Sequence, residues 1–136
     1  MITAVDTSVL LDVFGADPAF GLRSRTLVRS CLGEGRLIAC EVVWAEVASV
    51  FPSPDAAHDA MQRLSVEYSP IELKTALAAS RAWKLYRTRG GQRERVMADF
   101  LIGAHGLLQA ERLLTRDRGF YRSYFSRLRL LDPAKA

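Results

Sequence analysis

The sequence predicts an α/β protein with a mainly parallel central sheet of four to five strands flanked by helices, forming a single domain over residues 1–136. Three observations predict it. Ile2-Thr3-Ala4-Val5 is a short apolar and β-branched run that suits a buried strand; it ends at once in Asp6-Thr7-Ser8, after which Val9, Leu10 and Val13 recur at helical spacing. Arg112-Leu113-Leu114-Thr115 repeats the same grammar, with Asp117 after the hydroxyl and aromatic residues at helical spacing beyond it. Between the two, short apolar stretches alternate with helical patterns, the order of a parallel sheet built from strand–helix–strand units.

In chain order, Gly15 to Gly21 reads as a loop, with Asp17 and Pro18 inside it. A helix follows over Leu22 to Leu32, with Leu22, Leu27, Val28 and Leu32 as its apolar positions and Gly33 and Gly35 closing it. Arg36 to Cys40 is a second strand. Glu41 to Phe51 is a helix stopped by Pro52 and Pro54, with Val43, Val47 and Val50 on one face and Glu46 on or beside it. A carboxylate there is costly unless it is paired or binds a metal, so partial burial of Glu46 is expected. Glu41, an acid in a first turn, is explained by the helix dipole alone. Asp55 to Leu64 is a helix, Val66 to Tyr68 a short strand, and Ile71 to Tyr86 a long helix with Leu73, Leu77, Ala78 and Trp83 available for packing. Arg87 to Arg95 is a glycine-broken run holding Arg87, Arg89, Arg93 and Arg95; it reads equally as a solvated loop or as a basic rim that grips phosphates. Val96 to Ala110 is the last long helix. Asp99 lies in its first turn, and Gly103 and Gly106 follow on the same face, a pattern that suggests close approach of its backbone to the sheet. Arg118 to Phe125 is a helix and Leu128 to Leu131 a closing strand.

A net charge of +4, carried mostly by arginine because only Lys74, Lys84 and Lys135 are lysines, makes a polyanion a plausible partner. Cys31 and Cys40 have no metal-ligand spacing and read as free buried thiols of a reducing cytoplasm. His58 and His105 read as structural or surface residues. The chain opens without a basic n-region and carries Asp6 where a signal peptide would be apolar, and no apolar run approaches the roughly 18 residues of a membrane helix. A cytoplasmic protein without a membrane partner is expected.

Asp6 and Asp117 both lie just past strand ends, where ligands bind in parallel α/β sheets. Taken alone, Asp6 or Thr7 reads first as a helix cap. Asp99 opens a helix and Glu46 lies on a helix face, so four acids from distant segments can meet at one sheet edge. Like charges gathered there raise one another's pKa, and divalent cations relieve the repulsion. Oxygen ligands without His or Cys favour Mg²⁺, with Mn²⁺ as a substitute, and such a site suits phosphoryl chemistry.

The stretches VDTSVLLDVF, EVVWAEV with Glu46, RVMADFLIGAH with Asp99, and LLTRDRGFYRSYF with Asp117 resemble the PIN domain, and within it the VapC-type toxins of bacterial toxin–antitoxin pairs. The resemblance implies a Mg²⁺-dependent endoribonuclease forming a toxin homodimer neutralised by a protein antitoxin. It implies Asp6, Glu46, Asp99 and Asp117 as the acidic set, with Asp6, Asp99 and Asp117 on the metal and Thr7, Ser8 and Thr115 as polar support. It also implies an antitoxin groove near Trp44, Val47, Phe51 and Met61. Three other readings compete: a PIN nuclease of RNA processing that is not a toxin, a non-cleaving RNA-binding module, and a dehalogenase-type phosphatase. Ser8 counts against the last, standing where that chemistry needs an aspartate.

Overall fold

The computed structural model describes residues 1–90 and 95–135. Five strands form the sheet: β1 (Ile2–Val5), β2 (Arg36–Ala39), β3 (Val66–Tyr68), β4 (Arg112–Leu114) and β5 (Leu130–Leu131). Their spatial order is β3-β2-β1-β4-β5, and every pairing is parallel. The helices are α1 (Thr7–Phe14), α2 (Gly21–Glu34), α3 (Glu41–Ala48), α4 (Pro54–Arg63), α5 (Leu73–Thr88), α6 (Met97–Gln109) and α7 (Arg118–Tyr124), with a short 3-10 turn over Pro133–Lys135. Among the described residues no helix is long and apolar enough to cross a membrane.

The strand order decides where a site can lie. After β1 the chain winds to one side, through β2 to β3, then returns to the opposite flank of β1 for β4 and β5. The direction of winding reverses between β1 and β4, and a crevice opens outside the carboxyl ends of strands at such a point. Val5 pairs with Leu114 at the tips of those two strands. The next residues, Asp6 and Thr115, therefore leave the sheet side by side.

The core is continuous around this centre. Val9, Leu10, Val28, Leu37, Val43, Leu113 and Leu114 are buried, as are Cys31 and Cys40, both free thiols. A second block of packing is aromatic: Phe100 meets the rings of Trp83, Tyr86, Phe120 and Tyr124 at centroid distances between 5.1 and 5.8 Å. The two glycines of α6 serve this packing in different ways. A Cβ at Gly106 would stand 3.3 Å from Leu113 Cβ on β4, the sheet approach expected. A Cβ at Gly103 would stand 2.5 Å from the Phe125 ring, so that glycine makes room for an aromatic side chain and not for the sheet.

Several expected boundaries and packing faces are corrected. Helix α3 ends at Ala48, because Ser49 caps it and the chain turns away before Pro52; Val50 is left 62% exposed and is no part of the core. Helix α5 begins at Leu73, since the Ile71 amide is held by the Glu41 carboxylate, and it runs past Tyr86 to Thr88. Its buried stripe is Thr75, Ala79 and Tyr86, so Leu73 and Leu77 stand on the wet side, 76% and 52% exposed. Leu22, in the first turn of α2, is likewise exposed. His105 is buried against the Ser69 hydroxyl at 3.0 Å, and burial pushes its pKa down.

Candidate active site at the switch point

Asp6 stands at the centre. It is buried at the N-cap of α1, and its carboxylate serves as the cap. Oδ1 accepts the Thr7 amide at 2.8 Å, and Oδ2 accepts the Thr115 hydroxyl at 2.7 Å and the Tyr121 phenol at 3.4 Å. Burial pushes its pKa up to about 6; the Thr115 and Thr7 hydrogen bonds oppose that rise, and the negative charge of Asp117 adds to it. Thr115 has a second function, since its Oγ1 accepts the Asp117 amide at 3.0 Å. One hydroxyl thus ties the two acids to the strand tips.

The charges of Asp99 and Asp117 reach the phenol that donates to Asp6. The Tyr121 phenol is buried, and burial together with the charges of Asp6, Asp99 and Asp117 drives its pKa far upward. It stays protonated, a neutral donor among acids. Asp99, the third residue of α6, turns back and accepts the Val96 amide at 3.0 Å. Asp117 is gripped by Arg95, whose two terminal nitrogens each donate to one of its carboxylate oxygens. Glu46 is held by Thr7, the residue that follows Asp6. It is exposed, contrary to the partial burial expected from its helix face, because that face ends with Val47; its Oε1 accepts the Thr7 hydroxyl at 2.6 Å. Among the described residues no three acidic, histidine or cysteine side chains stand as a closed metal-binding set, each of the outer acids being turned to a partner of its own.

The chemistry of the donors nonetheless fits a hard divalent cation. The site offers carboxylate oxygens and hydroxyls without sulfur or imidazole. A carboxylate held near pKa 6 by burial and by a like charge lacks a positive partner of its own. Among the described residues the buried Ser8 hydroxyl, on the first turn of α1, has no hydrogen-bond partner.

The arginines divide. Arg95 is on Asp117, with its guanidinium 4.4 Å from the Phe120 ring centre. Arg87 and Arg89 are exposed and lie over Trp83 and Tyr124, at 5.8 and 6.0 Å. Arg93 falls outside the described residues.

Three contributors escaped the reading of the sequence. Tyr121 follows Asp117 by one helical turn, which was the available signal. Asp12 interrupts the apolar stripe of Val9 and Val13 on α1 and is buried there. Arg116 meets it with a two-pronged contact at 2.8 and 3.0 Å, and the Ser24 hydroxyl donates to the same carboxylate at 3.0 Å. That pair anchors the loop between Thr115 and Asp117 onto α1.

An acid past β1, an acid past β4 and an acid opening α6 form the arrangement on which comparison with known proteins bears. The sequence profile of the PIN domain matches residues 3–126. The chain belongs to the PIN domain family. Solved structures with the same fold include VapBC-1 from Haemophilus influenzae, at 18% identity and a TM-score of 0.74, covering 98% of this chain and 99% of that one. VapBC2 from Rickettsia felis, bound to a DNA fragment from its promoter, has 17% identity and a TM-score of 0.72, covering 97% and 98%. VapC20 from Mycobacterium tuberculosis, a toxin that cleaves the sarcin-ricin loop, has 19% identity and a TM-score of 0.59, covering 93% and 98%. No curated protein sequence matches the chain. At these identities the structural likeness is one of fold, and this PIN domain shares it over nearly its whole length.

Of the residues expected to line a groove, Trp44, Val47, Phe51 and Met61, two are not free to do so. Val47 and Met61 are fully buried core residues. The groove on this side of the PIN domain is lined by Leu11, Phe14, Gly15, Val50 and Phe51, with a volume of about 360 Å³, and Phe14 and Phe51 meet edge to face in it at 5.4 Å.

Proposed function

We propose that this PIN domain is a Mg²⁺-dependent endoribonuclease, with Mn²⁺ as a substitute, acting in the cytoplasm as the toxin of a toxin–antitoxin pair. The observation that carries this reading is the gathering of Asp6, Asp99 and Asp117 around the Tyr121 phenol at the switch point. Asp6, Asp99 and Asp117 would hold the ion. When bound, it supplies an activated water and charge stabilisation at the leaving oxygen of a phosphodiester. Thr115 and the Thr7 amide hold the Asp6 carboxylate in one orientation. Tyr121 donates to Asp6 and excludes water from its inner side. Glu46, exposed and held by Thr7, would orient a water molecule. Arg87 and Arg89, with Arg93 beside them in the chain, would hold the RNA backbone.

The partners follow from surfaces. The groove at Leu11, Phe14, Val50 and Phe51 suits an apolar helical segment of an antitoxin. The exposed Leu73 and Leu77, one turn apart on α5, suit a homodimer contact. The reading is tested by incubating purified protein with RNA in Mg²⁺, with and without excess EDTA. Cleavage that stops with chelator and with Asp99→Asn supports it. Binding of RNA without cleavage favours a non-cleaving module, and cleavage in cells without growth arrest favours a processing nuclease.

A further inference from the structure

Asp117 is partly open to solvent at the rim of the site, and it is already paired. Arg95 reaches it with both terminal nitrogens, Nη2 lying 3.2 Å from Oδ1 and Nη1 closer still to Oδ2. The Phe120 ring provides a seat beneath the guanidinium, whose centre stands 4.4 Å from the ring centre. Arg95 immediately precedes Val96, whose amide is held by Asp99, so the backbone that carries the arginine starts from the same acid cluster. The pair is open to solvent on one side, the Arg95 side chain being 30% exposed and that of Asp117 40%. A pair with both members partly exposed is weak and opens readily, in contrast to the pair of Arg116 with Asp12, whose carboxylate is buried.

Taken with the metal reading above, on which the inference rests, this geometry has a specific consequence. A divalent ion and a guanidinium cannot both sit on one carboxylate without repulsion. We propose that Arg95 is the site's own exchangeable cation: it neutralises Asp117 when no divalent ion is bound and leaves when one binds. The coupling is reciprocal, so the arginine weakens metal binding by as much as the metal weakens the arginine contact. A guanidinium freed at the rim is then available to an RNA phosphate, which makes metal loading and RNA capture favour each other.

The test uses Mn²⁺ alone as probe, with free Mn²⁺ counted by electron paramagnetic resonance, on the wild type, Arg95→Ala, Arg95→Gln and Arg89→Ala. Arg95→Ala should bind Mn²⁺ more tightly by roughly two- to fivefold, the range set by a partly exposed ion pair. Arg95→Gln should do the same and serves if the alanine variant folds poorly. Arg89→Ala, which removes a nearby positive charge with no site acid as partner, should leave Mn²⁺ affinity within error. Thermal melting gives a second readout: Arg95→Ala should melt lower than wild type in EDTA and gain more on addition of Mg²⁺. Mn²⁺ affinity that is unchanged or weaker in both Arg95 variants overturns the proposal while leaving the metal-dependent reading intact. An equal gain in Arg89→Ala also overturns it, since the effect would then be one of general charge. Failure of wild type and variants alike to bind Mn²⁺ overturns both readings together.

Discussion

The Thr115 hydroxyl donates to Asp6 Oδ2 at 2.7 Å while accepting the Asp117 amide, and this makes a residue of the β4 tip responsible for the orientation of the β1 acid. Thr115→Val keeps the shape and removes both bonds. It should cost about 1–3 kcal/mol of stability, because it leaves a buried carboxylate and an amide short of partners. It should also raise the Asp6 pKa further, since a bond favouring the charged form is gone. Thr115→Ser, which retains the hydroxyl, should recover most of the loss in urea unfolding; no difference between the two variants would remove this role.

Asp6 itself gives a pH signature. Its carboxyl is pushed up to about 6 in the folded chain from an ordinary value of 3.8, chiefly by burial. The folded state therefore binds the proton more tightly than the unfolded state. Stability from this group is fully present below pH 3.8 and is lost as pH rises toward 6. Asp6→Asn removes the penalty, so without metal it should stabilise the fold by on the order of 1–2 kcal/mol at pH 7 and by little at pH 4. A variant equally stabilised at both pH values, or destabilised at pH 7, would count against an uncompensated charge at this position.

The anchor under the site is a different kind of ion pair. Asp12 is only 4% exposed, and Arg116 is its charged partner. Arg116→Met leaves a buried carboxylate with Ser24 alone. A loss of about 3 kcal/mol or more is expected, the usual consequence of stripping one member from a buried pair. Asp12→Asn should be milder than Arg116→Met, because it removes the charge that needs compensation. Chemical unfolding of the two variants side by side orders them, and the reverse order would place the cost in lost packing against Phe20.

The sheet and the positions of Asp6, Asp99 and Asp117 at strand ends and a helix start were legible because their signals are local. A short apolar run ending in an acid marks a strand tip, and both such runs, at Val5–Asp6 and Leu114–Asp117, stand where that grammar puts them. Asp99 was legible as an acid in a first turn. What was not legible is where each side chain turns. Helical spacing put Glu46 near an apolar face, yet α3 ends two residues later and leaves it in solvent with Thr7 as its partner. Val47 and Met61 looked free to line a groove, but apolar periodicity does not distinguish a core stripe from a groove wall. The pairing of Arg95 with Asp117 joins residues 22 positions apart through tertiary structure, and no spacing announces it.

The remaining arginines are tested by salt. Arg87 and Arg89 end α5 over Trp83 and Tyr124, exposed and without a site acid as partner. If they hold phosphates, each contact should contribute roughly −0.7 to the slope of log affinity against log salt on single-stranded RNA. Neutralising both as Arg87→Gln and Arg89→Gln should lower RNA affinity for all sequences alike, because phosphate contacts position the strand and do not read bases. Mn²⁺ affinity should stay unchanged, which separates them from Arg95. The aromatic rings beneath them remain in place, so stability should shift by no more than about 1 kcal/mol. Titrating labelled RNA into an Asp99→Asn background, where the strand is not cut, at several salt concentrations measures the slope directly. A slope equal to that of the parent would remove this end of α5 from the RNA-binding surface and leave its two arginines as solvated covers on the aromatic core.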